Sequence, residues 1–325
     1  MSIQLKKVTT KKELKQFIRF NYELYKDNPY SVPDLYEDML KTFSSKKNAA
    51  FDFCEADYFL AYQDGKLVGR VAAIINHRSN ETWKSKTVRF GWIDFIDDKA
   101  VSRALIDAVI AWGRERGMTT LEGMLIEGFD QLSTMATIYN YPYYPEHIEA
   151  LGMEKSADWV ERKLFVPDEV PEKHLRIANI VKEKYHLQVR KLHSGKDAYA
   201  DDTARRIFQL INEAYAPLFN YSQMTERQID QYVKMFIPLL DFRMVTLVEN
   251  EAKELVAVGI SMPSIARALQ KAHGKLFPFG WYHLLRALKW KHNEILDLLL
   301  IAVRPDYQGK GVNALLFTDL IPIYQ

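Results

Sequence analysis

Residues Val303–Val312 read VRPDYQGKGV, two glycines and a lysine set between an apolar run, EILDLLLIAV (294–303), and a second apolar segment, VNALLFTDLI (312–321). The first run predicts a strand covered on both faces. Pro305 lacks a backbone donor and the glycines favour a turn, so RPDYQGKG ends that strand. Val312, Leu315, Leu316 and Leu320 then share one helical stripe. Strand, glycine-containing turn and helix N-terminus together make a place for an anion. Unpaired N–H groups point outward there, and the helix dipole contributes about 0.3–1 kcal/mol per favourable charge. Gly309 and Gly311 permit a close approach to the backbone, and Lys310 adds a cation.

Other phosphate loops do not fit. A nucleoside-triphosphate loop needs GxxxxGK followed by Ser or Thr, and the dinucleotide fingerprint needs GxGxxG with an acidic residue further on. The stretch instead resembles motif A of the GNAT superfamily of acetyl-coenzyme A-dependent N-acetyltransferases, [RQ]-x-x-G-x-[GA] after a V-x-P-x-[YF] lead-in. Gln308, Gly309, Lys310, Gly311, Val312 and Asn313 fill it, behind Val303, Pro305 and Tyr307, with Asn313 where a small residue is usual. The resemblance implies acetyl-CoA as acyl donor, its pyrophosphate on 308–313 and its pantetheine arm along Ile301, Ala302 and Val303. It further implies direct transfer of the acetyl group to an amine.

Outward from this stretch, the chain repeats itself. SIQLKKV reads as a strand, with Thr9 and Thr10 capping a helix that carries Leu14, Phe17, Ile18, Tyr22 and Tyr25. DYFLAYQ and LVGRVAAIIN form a hairpin about Asp64-Gly65. TVRFGWIDF is a strand, VSRALIDAVIAWGRERG a helix closed by Gly117, and TTLEGMLI a further strand. A helical YPEHIEALG and a strand WVERKLFV complete the unit. After a helix with Pro171 in its first turn, strand, helix, helix and hairpin return, Leu255-Val256 following Leu67-Val68 by 188 positions.

The predicted fold is therefore mixed α/β, two GNAT-like lobes, each a mostly antiparallel central sheet flanked by helices. A first lobe over 1–167, a connecting helix over 168–187 and a coenzyme-binding domain over 188–325 are expected. The second lobe reads as truncated, because a GNAT domain continues beyond the motif A helix, and the family often draws a catalytic tyrosine from that continuation. The segment from TTLEG to MLIEGFDQ is also short for such a lobe. In the first lobe the equivalent turn reads IDFIDDKAVSRAL: Asp97 and Asp98 stand where phosphates would sit and would repel them.

Totals narrow the field. The 325 residues, 48% hydrophobic and 13% aromatic, suffice for about two cored domains. Forty-four basic residues against 42 acidic ones give no reason to expect nucleic acid. Cys54 is the only cysteine, which excludes an internal disulfide and, with no signal peptide or apolar span, places the chain in the cytoplasm with no membrane partner. No histidine pair or His/Cys cluster suggests a metal.

For chemistry, an amine acceptor with a pKa near ~10.4 benefits from a general base. Asp297, eleven residues before Gln308, lies where some GNAT enzymes carry a glutamate base, and an apolar strand would raise its pKa. Glu294 is the weaker alternative. Tyr139, Tyr141, Tyr143 and Tyr144 read as packing between the lobes, with an acceptor pocket as the rival. GKLFPFGWYHLL reads as an amphipathic helix packing its aromatic face. The function expected is an acetyl-CoA-dependent N-acyltransferase acting on a small-molecule or peptide amine. The rivals are a non-catalytic coenzyme-A-binding module and a tandem-GNAT aminoacyl or peptidyl transferase. Acceptor and oligomeric state are not legible.

Overall fold

The computed structural model describes residues 2–126, 130–134, 137–290 and 293–325. The chain divides into two compact units, one formed by 1–159 with 265–284, the other by 160–264 with 285–325. The short link after TTLEG falls partly on 127–129, outside the described residues.

The first unit opens with β1 (Ile3–Lys7) and α1 (Lys11–Leu24). Thr10 caps that helix in a reciprocal box: Glu13 N–H donates to its hydroxyl at 3.2 Å, and its own N–H donates to the Glu13 carboxylate at 2.9 Å. α2 (Tyr36–Thr42), β2 (Cys54–Gln63), β3 (Lys66–Asn76), α3 (His77–Thr82) and β4 (Thr87–Phe95) follow. Then come α4 (Lys99–Arg114), β5 (Thr120–Gly123) and α5 (Tyr143–Glu149). Asp64 (φ 50°) and Gly65 (φ 78°) both take the left-handed conformation that a tight β2–β3 hairpin demands. The sheet runs β1-β2-β3-β4-β5, antiparallel except for the β4–β5 pair. α4 lays Val101, Leu105 and Val109 on one face of it, all three fully buried, and α1 lays Phe17 and Ile18 against Leu60 and Ala72.

Two expectations change here. The four tyrosines, read as packing between lobes, are tied by hydrogen bonds within the first unit. Tyr144 shares a hydrogen bond of 2.9 Å with Tyr25, Tyr143 donates to the Phe95 carbonyl at 2.6 Å, and Tyr141 donates to the Leu24 carbonyl at 3.1 Å. Tyr139 accepts from Asn28 at 3.2 Å. Nor does 159–166 form a strand. Its apolar residues come in two adjacent groups around Glu161, Arg162 and Lys163, so no face is consistently apolar, and Phe165 is 86% exposed.

In the second unit, α6 (Glu172–Lys184) begins after Pro171, which sits at the cap rather than inside the first turn. Its Ala178 and Val181 pack with Val312, Leu315 and Leu316. β6 (Gln188–Lys191), α7 (Gly195–Tyr199), α8 (Thr203–Tyr215), α9 (Glu226–Phe236), β7 (Val245–Glu249) and β8 (Leu255–Pro263) follow. The chain then returns to the first unit through α10 (Ala266–Ala272) and the start of α11 (Gly280–Leu285). It re-enters the second for β9 (Leu296–Val303) and α12 (Asn313–Tyr324). The sheet runs β6-β7-β8-β9, antiparallel throughout. α12 crosses it with Leu316 and Leu320 fully buried, and Gly259 on β8 leaves room for the Leu320 side chain, 3.1 Å from where a Cβ would stand.

β9 departs from the reading of a strand covered on both faces. Among the described residues it is the last strand of this sheet, with β8 as its one neighbour, and only Ala302 within it is fully buried. Among the described residues, no helix is long and apolar enough to cross a membrane.

Candidate active site

The unpaired side of β9 sets the geometry. Arg304 N–H donates to the Val256 carbonyl at 2.8 Å, so Arg304 faces β8. By alternation, Val303 and Ile301 face away from it. Their carbonyls are already engaged: Gln308 Nε2 donates to Val303 O at 2.9 Å, and the Tyr215 hydroxyl donates to Ile301 O at 2.9 Å. The N–H groups of these two residues share that outward side. Ala302 pairs inward with Val258, and the register slips between Ile260 and Ser261, leaving Leu299 as a bulge.

Past the strand, Pro305–Tyr307 makes a single 3₁₀ turn, and Gly309 (φ 72°) and Gly311 (φ 81°) both adopt left-handed backbone. The N–H groups of Gly309, Gly311, Val312 and Asn313 have no acceptor among the described residues. Four unaccepted donors thus lie within five residues at the head of α12, where the dipole favours negative charge. The glycines are not equivalent. A Cβ on Gly309 would meet nothing within 4 Å, whereas one on Gly311 would meet Ile177 Cγ2 at 3.1 Å and Val181 Cγ2 at 3.3 Å on α6. Gly309 faces open space, and Gly311 is a packing position as well.

Lys310 is exposed but not loose. Its ammonium lies 5.1 Å from the ring centroids of both Tyr185 and Tyr307, and it makes no ion pair among the described residues. The neighbouring Arg304 is neutralised by Asp306 at 2.7 Å and Glu254 at 3.1 Å. Lys310 therefore supplies the turn's one cation outside an ion pair among the described residues, with the Asp306 carboxylate close enough to feel its charge.

Asp297 sits near the start of β9, opposite Met262. Its Oδ2 is buried without a hydrogen-bond partner among the described residues. Burial pushes its carboxyl above the ordinary range, Ser264 pulls the other way, and the charge of Glu161 adds to the rise. A half-buried carboxylate with an unsatisfied oxygen is poised to take a proton. Glu294, by contrast, is exposed in the bend before the strand.

The turn between β4 and α4 in the first unit is occupied by its own side chains. Asp98 caps α4, its carboxylate accepting from Ala100 N–H at 2.8 Å and from Gln63 Nε2 at 3.1 Å. The Ala100 bond, followed by the one from Gln63, holds its pKa below the usual carboxylate range. Asp97 pairs with His147 Nε2 at 3.0 Å, and His147 Nδ1 lies 3.0 Å from the Ser102 hydroxyl. Serine, histidine and aspartate in line have the outline of a hydrolytic triad, but Ser102 is 0% exposed inside α4, so no substrate reaches it. Cys54 is no better a nucleophile: burial pushes its thiol up to about 11.

A surface cleft of 570 Å³, lined by His193, Tyr199, Asp241, Arg243 and Lys289 among others, lies beside β6, at the opposite edge of the sheet from β9. This cleft and the unaccepted donors are therefore in different places, and the chemistry points to the donors. Among the described residues, no group of three or more His, Cys, Asp or Glu is placed to hold a metal. The aromatics of GKLFPFGWYHLL do not pack as a helix face either: Phe277 and Phe279 are 71% and 70% exposed. Sequence reading missed Tyr215 and the packing of α6 on Gly311, since neither residue pair is close in the chain.

No family model matches the chain. Protein YghO of Escherichia coli strain K12 is 28% identical over 326 residues, spanning 96% of this chain and 81% of that protein. The bacterial ceramide synthase of Caulobacter vibrioides is 28% identical over 313 residues, covering 93% and 80% respectively. Among solved structures, a tandem GNAT protein from the clavulanic acid biosynthesis pathway, without acetyl-CoA, superposes with a TM-score of 0.51. It is 14% identical and covers 99% of this chain and 85% of that one. The chain has the fold of a tandem GNAT protein, with a mostly antiparallel sheet and flanking helices in each unit.

Proposed function

We propose that the second unit is an acyl-CoA-dependent N-acyltransferase. The pyrophosphate of the donor would rest on the N–H groups of Gly309, Gly311, Val312 and Asn313, with Gln308 fastening the turn to Val303. The pantetheine arm would lie along the outward side of Ile301, Ala302 and Val303. Asp297, ionised, accepts a proton from the acceptor's ammonium. The freed nitrogen attacks the thioester carbonyl carbon, the C–S bond breaks, and the thiolate of coenzyme A takes the proton that the nitrogen loses as it becomes the amide. Direct transfer is favoured because the chain's one cysteine has a thiol unsuited to carrying the acyl group.

The observation that carries this reading is the set of four N–H groups at the head of α12 that, among the described residues, have no acceptor and follow a strand with one free side. Acetyl is the simplest acyl group. A second reading, a long acyl chain passed to a long-chain amine, is favoured by the likeness to a ceramide synthase over 93% of this chain, since a ceramide is the amide of a lipid amino alcohol. Release of free thiol should be followed with acetyl-CoA and with palmitoyl-CoA, each offered to a polyamine, to lysine and to a sphingoid base. Turnover that requires both donor and amine supports transfer. Calorimetric coenzyme A binding without turnover on any amine would leave a binding module. No binding of any acyl-CoA would overturn the assignment.

A further inference from the structure

From Leu255 to Asn293 the chain contains no Asp or Glu but six Lys and Arg residues, which leaves the remainder with 38 basic residues against 42 acidic ones. Part of this acid-free run, Ile265–Leu284, belongs to the first unit. Its base is fixed to the body of that unit. Gln270 donates to the Pro29 and Ser31 carbonyls at 2.9 and 3.0 Å, and the Gly274 carbonyl accepts from Tyr36 N–H at 2.8 Å. α10 buries Ala266, Ala268, Leu269 and Ala272 and turns Arg267 and Lys271 outward. Beyond it the tip, Phe277 to Tyr282, holds up four aromatic side chains. Phe277 and Phe279 are 71% and 70% exposed, Trp281 and Tyr282 about two-fifths, and the Trp281 indole N–H is tied to the Pro278 carbonyl at 2.8 Å. Arg267, Lys271 and Lys275 are exposed and make no ion pair among the described residues.

A solvated charge run does not need aromatics, and a core helix does not leave its phenylalanines in water. Rigidly based aromatics beside uncompensated cations are what an interfacial segment needs. The rings enter the headgroup and upper acyl region, and the cations stay with anionic headgroups. We propose that Ile265–Leu284 is a docking surface for a bilayer carrying anionic phospholipid, with Phe277 and Phe279 as the inserted residues and Arg267, Lys271 and Lys275 as the electrostatic contacts. The absence of any acid across 39 residues suits a partner of uniform negative charge. This departs from the expectation of no membrane partner, which rested on the lack of a spanning segment. Lying on a membrane requires no span.

The full chain should be sedimented with phosphatidylcholine vesicles and with vesicles that also contain phosphatidylglycerol. Binding is expected with the anionic vesicles and should weaken as salt rises. Phe277→Ser with Phe279→Ser should reduce it by ~10-fold or more, given how much each buried ring contributes. Lys271→Glu with Lys275→Glu should reduce it by roughly five-fold per charge at low salt. All four positions are exposed, so circular dichroism and coenzyme A binding should stay as in the parent, which separates this test from that of the acyltransferase reading. A parent that remains in the supernatant with anionic vesicles overturns the proposal. So does a double-serine variant that pellets like the parent. Loss in that variant of self-association, or of binding to single-stranded polynucleotide, with no vesicle binding by the parent would also overturn it, in favour of a second copy or a nucleic acid.

Discussion

The turn from β4 into α4 and the turn from β9 into α12 occupy corresponding places, each leaving the fourth strand of its sheet for a helix that packs on that sheet. In the first, Asp98 places its carboxylate on the Ala100 N–H at 2.8 Å and Asp97 binds His147 at 3.0 Å, so the helix head is satisfied from within. In the second, two left-handed glycines leave four N–H groups without acceptors, and Lys310 makes no ion pair, among the described residues. The strands differ in the same sense. Arg70 and Asp94 form a buried cross-strand pair at 2.6 Å in the first unit, where the second has Val258 opposite Ala302. A helix N-terminus is either capped by the chain or left for a ligand, and one or two residues decide which.

The sharpest way to test the second site is Asp297→Asn. If Asp297 is the base, kcat should fall by ~10²–10⁴-fold while acyl-CoA affinity stays within about two-fold. The acid limb of the pH–rate profile, shifted upward because burial raises this carboxyl, should vanish in the variant. Stability moves the other way. A folded pKa above the unfolded one means that stability is fully present below the ordinary value near 3.8 and is lost as pH rises through the raised value. At neutral pH the variant's thermal midpoint should therefore equal or exceed the parent's, and any gain should disappear below that ordinary value. Unchanged turnover would remove Asp297 from the mechanism.

Gly309→Asp would make the second turn resemble the first. Space is open there, so the variant should fold, at a cost of about 1 kcal/mol for the left-handed backbone. It brings a carboxylate to the donors, and loss of two hydrogen bonds to a charged group, about 1.5–3 kcal/mol each, predicts at least ~100-fold weaker acetyl-CoA binding by calorimetry. Gly311→Asp is the poorer probe, because its side chain meets Ile177 and Val181 and would disturb α6 as well. Binding by folded Gly309→Asp that matches the parent would erase the contrast between the turns.

Lys310→Ala should cost only several-fold in affinity, since it removes one exposed, solvated cation while the backbone donors remain. The smallest expected effect on binding is in the first unit. Asp97→Ala with Asp98→Gly should create no coenzyme site, because the strand before it keeps its Arg70–Asp94 pair. Loss of the Asp98 cap should cost only a few tenths of a kcal/mol when Gly replaces Asp, visible as a small fall in thermal midpoint. Two coenzymes bound per chain would refute the division of labour between the units.

Local chemistry made much of this readable from sequence. The Asp64-Gly65 hairpin, the Thr10 cap and the Gln308–Asn313 turn each depend on residues within a few positions of one another. Where the outcome depends on distant partners, the pattern was silent. An apolar run such as LDLLLIAV does not encode how many neighbours the strand has, so β9 at the sheet edge was not foreseeable. Gln270 reaches Pro29 across 241 positions and Tyr215 reaches Ile301 across 86, separations over which periodicity carries no signal. Asp297 was legible as a carboxylate within an apolar run. Its unpartnered oxygen was not.

The two engaged carbonyls on β9 have a consequence for molecular selectivity. With Ile301 O held by Tyr215 and Val303 O by Gln308, each of these carbonyls has one of its two lone pairs taken, so that edge is better placed to give hydrogen to a guest than to receive it. A pantetheine arm placed there as proposed would be read through its amide oxygens rather than its amide hydrogens. Donor analogues in which an amide carbonyl is reduced to a methylene should be rejected far more strongly than those in which the amide nitrogen is methylated. Tyr215→Phe, which frees one carbonyl, should narrow the gap between the two.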